Sequence, residues 1–161
     1  MGTTHEIIEM NACDQAAADD FIKEMEVDVL ARTIYGEARS ESRAGMEAVA
    51  HVILNRIKHA QSKGGKFWWG HDIVSVCQTP YQFSCWNLGD PNRKKLMAVT
   101  DKNIHFATCL RIARRAVYGG LGIDNTHGAD HYHTTAVAPK WSFGKTPIAK
   151  HGTHVFFKLE K

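Results

Sequence analysis

The chain has 161 residues, 43% of them hydrophobic and 23% charged, with a formal net charge of +3 and ten histidines. This ordinary globular composition fits one compact domain with a real core and excludes two full domains. The small positive excess favours an anionic partner only slightly, and we expect no nucleic-acid partner.

The N-terminal stretch MGTTHEIIEMNACDQ matches no common targeting signal. It lacks the basic opening and the apolar core of a signal peptide, and Glu6 stands where a myristoylation pattern needs Ser or Thr. No apolar run approaches the roughly 20 residues that span a bilayer. We therefore expect an N-terminal tail over residues 1–18, a single domain over residues 19–161, and no membrane insertion.

Residues 19–39 have the spacing of an amphipathic helix. Residues on one face recur at intervals of one, three or four positions, as a helix requires. The predicted inward stripe comprises Phe21, Ile22, Met25, Val29, Leu30, Thr33 and Ile34. Glu37 continues this stripe, whereas Arg39 points elsewhere, so a carboxylate prolongs an apolar face.

A second helix is predicted over residues 43–60, after the break at SES. Ser42 is a suitable N-cap, and the inward stripe is Met46, Val49, Ala50, Ile53, Leu54 and Ile57. The glycine-containing loop QSKGGKFWWGHD follows. Its adjacent Trp68 and Trp69 are expected to be at least partly exposed, and Asp72 is placed to cap a short helical turn.

The segment TPYQFSCWNLGDPNR is predicted to be irregular and partly exposed, because Pro80, Gly89 and Pro91 interrupt regular structure. The four cysteines of the chain are too few for a disulfide scaffold. Cys77 and Cys85 bracket this segment's turn and are candidates for one local bridge. Buried free thiols are the alternative, and the sequence leaves both open.

A third long helix is predicted over residues 102–118, with a glycine pair as its stop signal. Its inward residues are Phe106, Cys109, Leu110, Ala113 and Val117. Beyond it, ADHYHTTAVAPKW and GTHVFFKLE are rich in aromatic and β-branched residues and predict short strands. The expected fold class is α+β, a helix-dominated single domain with a small β element.

Spacing alone allows two interpretations of Glu37. A carboxylic acid acts as a general acid near neutral pH when apolar surroundings raise its pKa, and the end of an apolar stripe beside a cleft offers such surroundings. A solvated helix end that attracts Arg39 or Arg43 weakly is the other interpretation. Spacing favours the second.

Several ordered motifs add a family resemblance. LARTIYGEARSESRAGMEAVAHVILNRI resembles the signature of the SleB-type cell-wall hydrolases, the spore cortex-lytic enzyme family. That signature reads approximately Ala-x-x-x-Tyr-Gly-Glu-Ala-Arg-x-Glu, then Gly, then Ala-Val-Ala-x-Val-Ile-Leu-Asn-Arg. YQFSCW resembles the family's Gln-Phe-Ser segment, GADHYHTTAVAPKW its Ala-x-x-Tyr-Tyr region followed by Trp, and GTHVFF its Gly-x-His-x-Phe ending. The resemblance covers residues 27–158.

The resemblance implies a lysozyme-like fold and cleavage of the peptidoglycan glycan strand between N-acetylmuramic acid and N-acetylglucosamine. It places the family's single catalytic glutamate at Glu37. As in a lytic transglycosylase, Glu37 would protonate the glycosidic oxygen and then accept the proton of the muramyl C6 hydroxyl, leaving a 1,6-anhydromuramyl end. No water is consumed, so neither a second carboxylate nor a cofactor is expected.

Two alternatives stay open. A hydrolysing muramidase of the lysozyme type needs a second carboxylate, as nucleophile or to activate water. The candidates for that role are Glu41, Asp72, Asp90 and Asp130, and none lies in a motif that recommends it. A non-catalytic wall-binding or metal-binding module that has kept the fold is the other alternative.

The predicted substrate contacts are Gln82, Phe83, Ser84, Trp86, Tyr132 and His133. Amide and hydroxyl groups would bind acetamido or hydroxyl groups of the sugars, and the aromatic rings would pack against sugar faces. The family pattern changes at HYH, where strand alternation places His131 and His133 on one face and Tyr132 on the other. The histidines show no complete zinc-ligand spacing, so no metal site is predicted.

The expected partner is the peptidoglycan glycan strand, bound by a monomer. Because no export signal is recognised, we expect synthesis in the cytoplasm and action on the cell wall. A phage endolysin released through a separate membrane pore has this architecture. A bacterial enzyme exported by another route, or one trimmed of its signal, fits nearly as well.

Overall fold

The computed structural model describes residues 12–161, so the first eleven residues of the predicted tail lie outside the described part. The helices are α1 (Ala12–Ala38), α2 (Arg43–Ser62), α3 (Ile73–Gln78), α4 (Pro91–Ala98) and α5 (Ile104–Val117). The strands are β1 (His131–Thr134), β2 (Ala149–His151) and β3 (His154–Phe157), and 3₁₀ turns cover Ser84–Trp86 and Lys140–Ser142. The predicted α+β fold class is confirmed.

Helix α2 is central to the core and matches its prediction. The Ser42 hydroxyl accepts the Gly45 N–H at 3.3 Å, as an N-cap does. One side of α2 packs Val49 and Ile53 into the main helical core. The opposite side packs Ala48 and Val52 against the sheet, in a smaller apolar cluster. The helix is therefore buried between the other helices and the sheet.

Helix α1 is already formed at Ala12, the first residue that the structure describes, seven residues before its predicted start. The inward stripe was wrong for its first three members, since Phe21, Ile22 and Met25 are 70%, 48% and 45% exposed. Helix α5 contacts this half of α1 through other residues than the predicted stripe: Arg114 of α5 pairs with Glu24 of α1 at 2.6 Å. The buried face of α1 starts at Val27.

The last three residues of the segment predicted to be irregular, 91–93, form the start of helix α4. Asp90 accepts the Asn92 N–H at 2.8 Å, and Pro91 occupies the first turn. Proline is favoured there because the missing N–H would have no partner inside the helix. A Pro in this segment was therefore a start signal that the prediction interpreted as a break.

Trp69 corrects the prediction that both loop tryptophans are exposed. Trp68 is 56% exposed, but Trp69 is fully buried. The Trp69 indole N–H donates to the main-chain oxygen of Arg56 at 3.0 Å, which satisfies its polar atom inside the core.

The predicted cap at Asp72 is confirmed, since its side chain accepts the Ser75 N–H at 2.7 Å.

Helix α5 and the strands follow the sequence closely. Phe106, Cys109 and Ala113 of α5 are buried, as predicted. The sheet is antiparallel in the order β1-β3-β2, with Tyr132 of β1 opposite Phe156 of β3. Strand β2 was not separately predicted.

In the described part of the chain no helix is long and apolar enough to cross a membrane.

The two halves of α1 should respond differently to truncation. Leu30→Ala removes a fully buried side chain and should lower the free energy of unfolding by about 2–5 kcal/mol. Phe21→Ala removes a larger but exposed side chain and should change it by less than about 0.5 kcal/mol. Urea denaturation measures both. A large loss for Phe21→Ala would contradict the exposed position of this half.

Candidate active site

Glu37 lies in the last turn of α1, partly buried, and its two carboxylate oxygens have different surroundings. The Tyr132 hydroxyl donates to Oε2 at 2.8 Å. Oε1 is buried and has no hydrogen-bond partner. Buried polar atoms are almost always paired, so an unpaired one marks a place where a ligand can supply the partner. Tyr132 holds one oxygen, and the other is enclosed without a geometric hydrogen bond, although the Cys85 thiol interacts with the carboxylate.

Tyr132 is held by three aromatic neighbours from two parts of the chain, the Gln82 loop and β3. Its ring centroid lies 6.4 Å from that of Phe83, 5.6 Å from that of Phe156 and 4.9 Å from that of His154. Burial raises the pKa of the Tyr132 hydroxyl well above its usual value, and the charge of Glu37 adds to the effect. The hydroxyl therefore remains a proton donor toward Glu37 at physiological pH.

Arg56 is a residue of the site that the sequence prediction missed. It is 4% exposed, and its Nε donates to the main-chain oxygen of Asp130 at 2.8 Å. Its Nη1 donates to Oε1 of Gln82 at 3.3 Å. The guanidinium also lies over the rings of Trp69 and Phe83, 5.2 and 5.3 Å from their centroids. Arg56 thus joins α2, the Gln82 loop and the start of β1.

The sequence contained a signal for Arg56. It follows Ile53 by three residues and Val49 by seven, which places it on the inward stripe of α2. An arginine on an apolar stripe is rarely buried without specific partners. Burial lowers the pKa of Arg56, while Tyr132 and Asp130 act in the opposite direction.

Gln82 and Phe83 join Tyr132 around Arg56, whereas the other two predicted loop contacts take different positions. Ser84 is exposed at the start of the 3₁₀ turn. Trp86 is partly buried, and its indole N–H donates to the Thr33 hydroxyl at 2.9 Å. Trp86 therefore anchors the loop to α1, beside the site.

The histidines of β1 lie on the opposite face of the strand from Tyr132, as alternation predicts. His133 stacks on Phe157 with centroids 5.3 Å apart and contacts Trp141 at 5.6 Å. His131 also contacts Trp141, at 5.2 Å. The structure does not bring His133 into contact with Glu37 or Tyr132.

His154 contributes a buried ring on the Tyr132 side. It is 2% exposed, and its Nδ1 has no hydrogen-bond partner. Burial lowers the pKa of His154, against the opposing effects of Glu41 and Glu37. The ring is therefore neutral at pH 7.

The four candidate second carboxylates all make structural contacts. Asp72 and Asp90 cap α3 and α4. Asp130 accepts the main-chain N–H groups of Leu159 and Glu160 at 2.8 and 2.9 Å and pairs with the His131 ring. Glu41 accepts hydrogen bonds from the hydroxyl and N–H of Thr153, in the turn between β2 and β3.

The cysteines near the site are free thiols. Cys77 and Cys85 are buried and unbridged, so the disulfide alternative is wrong. Burial raises the pKa of Cys77 to about 12, and burial together with the charge of Glu37 raises that of Cys85 further. Cys85 also packs against Gly36, where an added Cβ would lie 2.8 Å from its sulfur.

No site for a metal ion is formed within residues 12–161, where no group of three or more His, Cys, Asp or Glu side chains is suitably arranged. At Glu37 the structure presents a carboxyl group, which can transfer a proton. A hydroxyl group fixes that carboxyl group in place.

Comparison with known proteins identifies a family. The family model described as Cell Wall Hydrolase matches residues 40–157, beginning three residues after Glu37. The chain is 31% identical over 133 residues to a spore cortex-lytic enzyme of Halalkalibacterium halodurans, covering 81% of the chain and 34% of that enzyme. It is 30% identical over 135 residues to a spore cortex-lytic enzyme of Bacillus cereus, covering 83% of the chain and 44% of that enzyme. The chain therefore spans less than half the length of these relatives.

Two solved structures are similar to this fold. The catalytic domain of the Bacillus cereus SleB protein aligns with a TM-score of 0.64 and 27% identity, over 84% of this chain and 91% of that domain. The catalytic domain of the germination-specific lytic transglycosylase SleB from Bacillus anthracis aligns with a TM-score of 0.59 and 28% identity, over 83% and 93%. The resemblance to SleB-type cell-wall hydrolases is confirmed.

Thiol accessibility tests the cysteine environment. At pH 8, Ellman's reagent should react with one thiol of the native protein, the exposed Cys13. The raised pKa values keep Cys77, Cys85 and Cys109 protonated and unreactive, since thiolates are the reacting form. Unfolding in guanidinium should expose four thiols, and Cys13→Ser should remove the native reaction. Only two reactive thiols after unfolding would instead indicate a Cys77–Cys85 bridge.

Proposed function

The chain belongs to the cell wall hydrolase family, and we propose that it cleaves the glycan strand of bacterial peptidoglycan between N-acetylmuramic acid and N-acetylglucosamine. The observation that carries this proposal is the carboxylate of Glu37, which has Oε2 bound by Tyr132 and a buried Oε1 without a partner. The relatives named as spore cortex-lytic enzymes and the neighbour named as a lytic transglycosylase support the same activity.

Glu37 acts as general acid and then as general base. In the first step its proton passes to the glycosidic oxygen, and the bond to the muramyl C1 breaks as positive charge develops on that ring. In the second step Glu37 accepts the proton of the muramyl C6 hydroxyl, whose oxygen bonds to C1. The products are a free N-acetylglucosamine 4-hydroxyl group and a 1,6-anhydromuramyl end.

Tyr132 positions the carboxyl group for both steps. Its hydrogen bond to Oε2 fixes the rotation of the Glu37 side chain, and Oε1 is not held by a competing hydrogen bond. Because the Tyr132 pKa is raised, its hydroxyl does not compete as a base. A fixed acid loses less entropy at the transition state than a mobile one.

A single-carboxylate mechanism is supported by the contacts of the other acids. Asp72 and Asp90 cap helices, and Asp130 binds three neighbouring groups. A hydrolysing muramidase would need one of them, or Glu41, free to hold water or attack the sugar. Glu41 is engaged by Thr153. Transglycosylation needs no second carboxylate.

The surroundings of Glu37 are compatible with a sugar substrate. Tyr132 offers a partly buried aromatic ring, Phe83 is 2% exposed and supports that ring from the core, and Gln82 offers an amide whose oxygen is oriented by Arg56. With Oε1 of that amide bound to Arg56, its NH₂ group is the part left to donate to an acetamido or hydroxyl oxygen.

We further propose that the protein is made in the cytoplasm, acts on the cell wall and works as a monomer.

Glu37→Gln tests the catalytic assignment. The amide cannot deliver a proton, so clearing of purified cell walls should slow by about a hundredfold or more, the usual worth of general acid catalysis. Glu24→Gln is the matched control, since Glu24 is an exposed glutamate of the same helix, and it should clear walls like the wild type. Equal clearing by Glu37→Gln and wild type would sink the assignment of Glu37.

Mass spectrometry of the released muropeptides identifies the second step. Anhydro ends are one water lighter than reducing ends. Anhydro products from the wild type support the internal attack by the C6 hydroxyl. Reducing ends throughout would show a hydrolase and would make Glu41 a candidate for the second carboxylate again.

Tyr132→Phe tests the positioning of Glu37. The substitution keeps the ring packing but removes the hydrogen bond to Oε2, and activity should fall about tenfold to a hundredfold, as for other hydrogen bonds to charged groups. Tyr35→Phe is the control, because Tyr35 is a buried tyrosine of α1 whose ring packs on Phe106. Unchanged activity of Tyr132→Phe would show that the hydrogen bond does not serve catalysis.

A further inference from the structure

A cavity opens between the start of α2 and the outer face of α5, immediately after the turn that follows Glu37. Its volume is about 460 Å³. We call it the Arg111 pocket, after the residue on which its properties depend most. The lining residues used below are Glu41, Arg43, Met46, Arg111, Ile112 and Arg115.

The walls of the Arg111 pocket carry an excess of positive charge. Arg43 and Arg115 share one carboxylate, that of Glu47, at 3.0 and 2.8 Å. Arg111 forms no ion pair among residues 12–161, and its Nη2 donates to the hydroxyl of Thr108 at 3.0 Å. The three guanidinium groups therefore outnumber the two carboxylates, those of Glu41 and Glu47. An incoming anion would balance the remaining charge.

One donor in this pocket is buried without an acceptor. Nε of Arg115 has no hydrogen-bond partner, although Nη2 of the same side chain binds Glu47. A buried donor left unpaired is costly, so the arginines beside this pocket are not fully compensated by the acceptors present. The floor beneath is apolar, because Met46 and Ile112 are 3% and 1% exposed.

The pocket is linked to Glu37 through direct contacts. Glu41 lines the pocket and accepts hydrogen bonds from Thr153, the residue before His154. His154 packs on Tyr132, which binds Glu37. Glu41 follows Glu37 by four residues, so their Cα atoms are at most about 14 Å apart.

We propose that the Arg111 pocket binds a carboxylate of the short peptide that muramic acid carries in peptidoglycan. The proposal rests on the glycan-cleaving function proposed above, and it adds a requirement for the peptide to that function. Three to five extended residues reach about 10 to 17 Å, which spans the separation between Glu37 and Glu41. The apolar floor suits the aliphatic part of an amino-acid side chain, and the guanidinium groups suit its carboxylate.

Two matched substrates test the proposal. Purified glycan strands are compared with the same strands after an amidase has removed their peptides. The wild type should cleave peptide-bearing strands faster, and Arg111→Gln should lower that rate about tenfold while leaving the rate on stripped strands unchanged. Arg111 is exposed and donates a hydrogen bond to Thr108, one turn away on the same helix, so its replacement is compatible with folding.

Arg114→Gln is the control, since it removes the same charge from the same helix but on the side that pairs with Glu24. It should keep the wild-type preference. An unchanged preference in Arg111→Gln would overturn the proposal. Failure of the wild type to cleave either substrate would instead contradict the proposed function itself.

Direct binding gives a second test that does not depend on cleavage. Titration with the free peptide L-Ala-γ-D-Glu-diaminopimelate, followed by NMR, should shift resonances of α5 in the wild type and not in Arg111→Gln. Titration with inorganic phosphate is the comparison. Tighter binding of phosphate than of the peptide would overturn the peptide assignment in favour of a phosphate-containing wall polymer.

Discussion

The buried guanidinium of Arg56 determines how the site is assembled. A buried guanidinium group is tolerated only where its N–H donors are hydrogen-bonded and its planar faces pack against other groups, which here are aromatic rings. The acceptors of Arg56 come from the Gln82 side chain and the Asp130 main chain, two parts of the chain that α2 alone would not hold together. Satisfying this one charge therefore fixes the Gln82 loop and β1 at the same time. Tyr132 follows Asp130 by two residues, so its reach to Glu37 depends on the same anchor.

Much of the helical framework could be predicted from local patterns. Helix α2 combined a clear period with a cap at Ser42, and the alternation in HYH correctly separated Tyr132 from His131 and His133. The exposed half of α1 could not be predicted, because periodicity identifies an apolar face without showing whether anything covers it. The same limit applies to Trp69, whose loop position gave no indication that Arg56 supplies an acceptor for its indole.

The contacts that define the site lie beyond the reach of spacing. Tyr132 and Glu37 are 95 residues apart, and Arg56 and Gln82 are 26 apart. Neither pair belongs to a repeating pattern. The family resemblance indicated Glu37, but the hydrogen bond that holds its Oε2 is visible only in three dimensions. Two of the buried polar atoms without partners, Oε1 of Glu37 and Nδ1 of His154, both adjoin Tyr132, so the site is short of hydrogen-bonding groups that a sugar carries in abundance.

The long exposed start of α1 also has a practical consequence. Cys13 is exposed near its first residue, while the other three thiols are buried. Along a continuous helix, 24 residues separate Cys13 from Glu37 by about 36 Å. A single fluorophore or surface linker attached at Cys13 would therefore stand far from the reacting sugar. The native chain thus provides a site-selective handle for watching individual molecules bind and leave the wall, without an engineered cysteine.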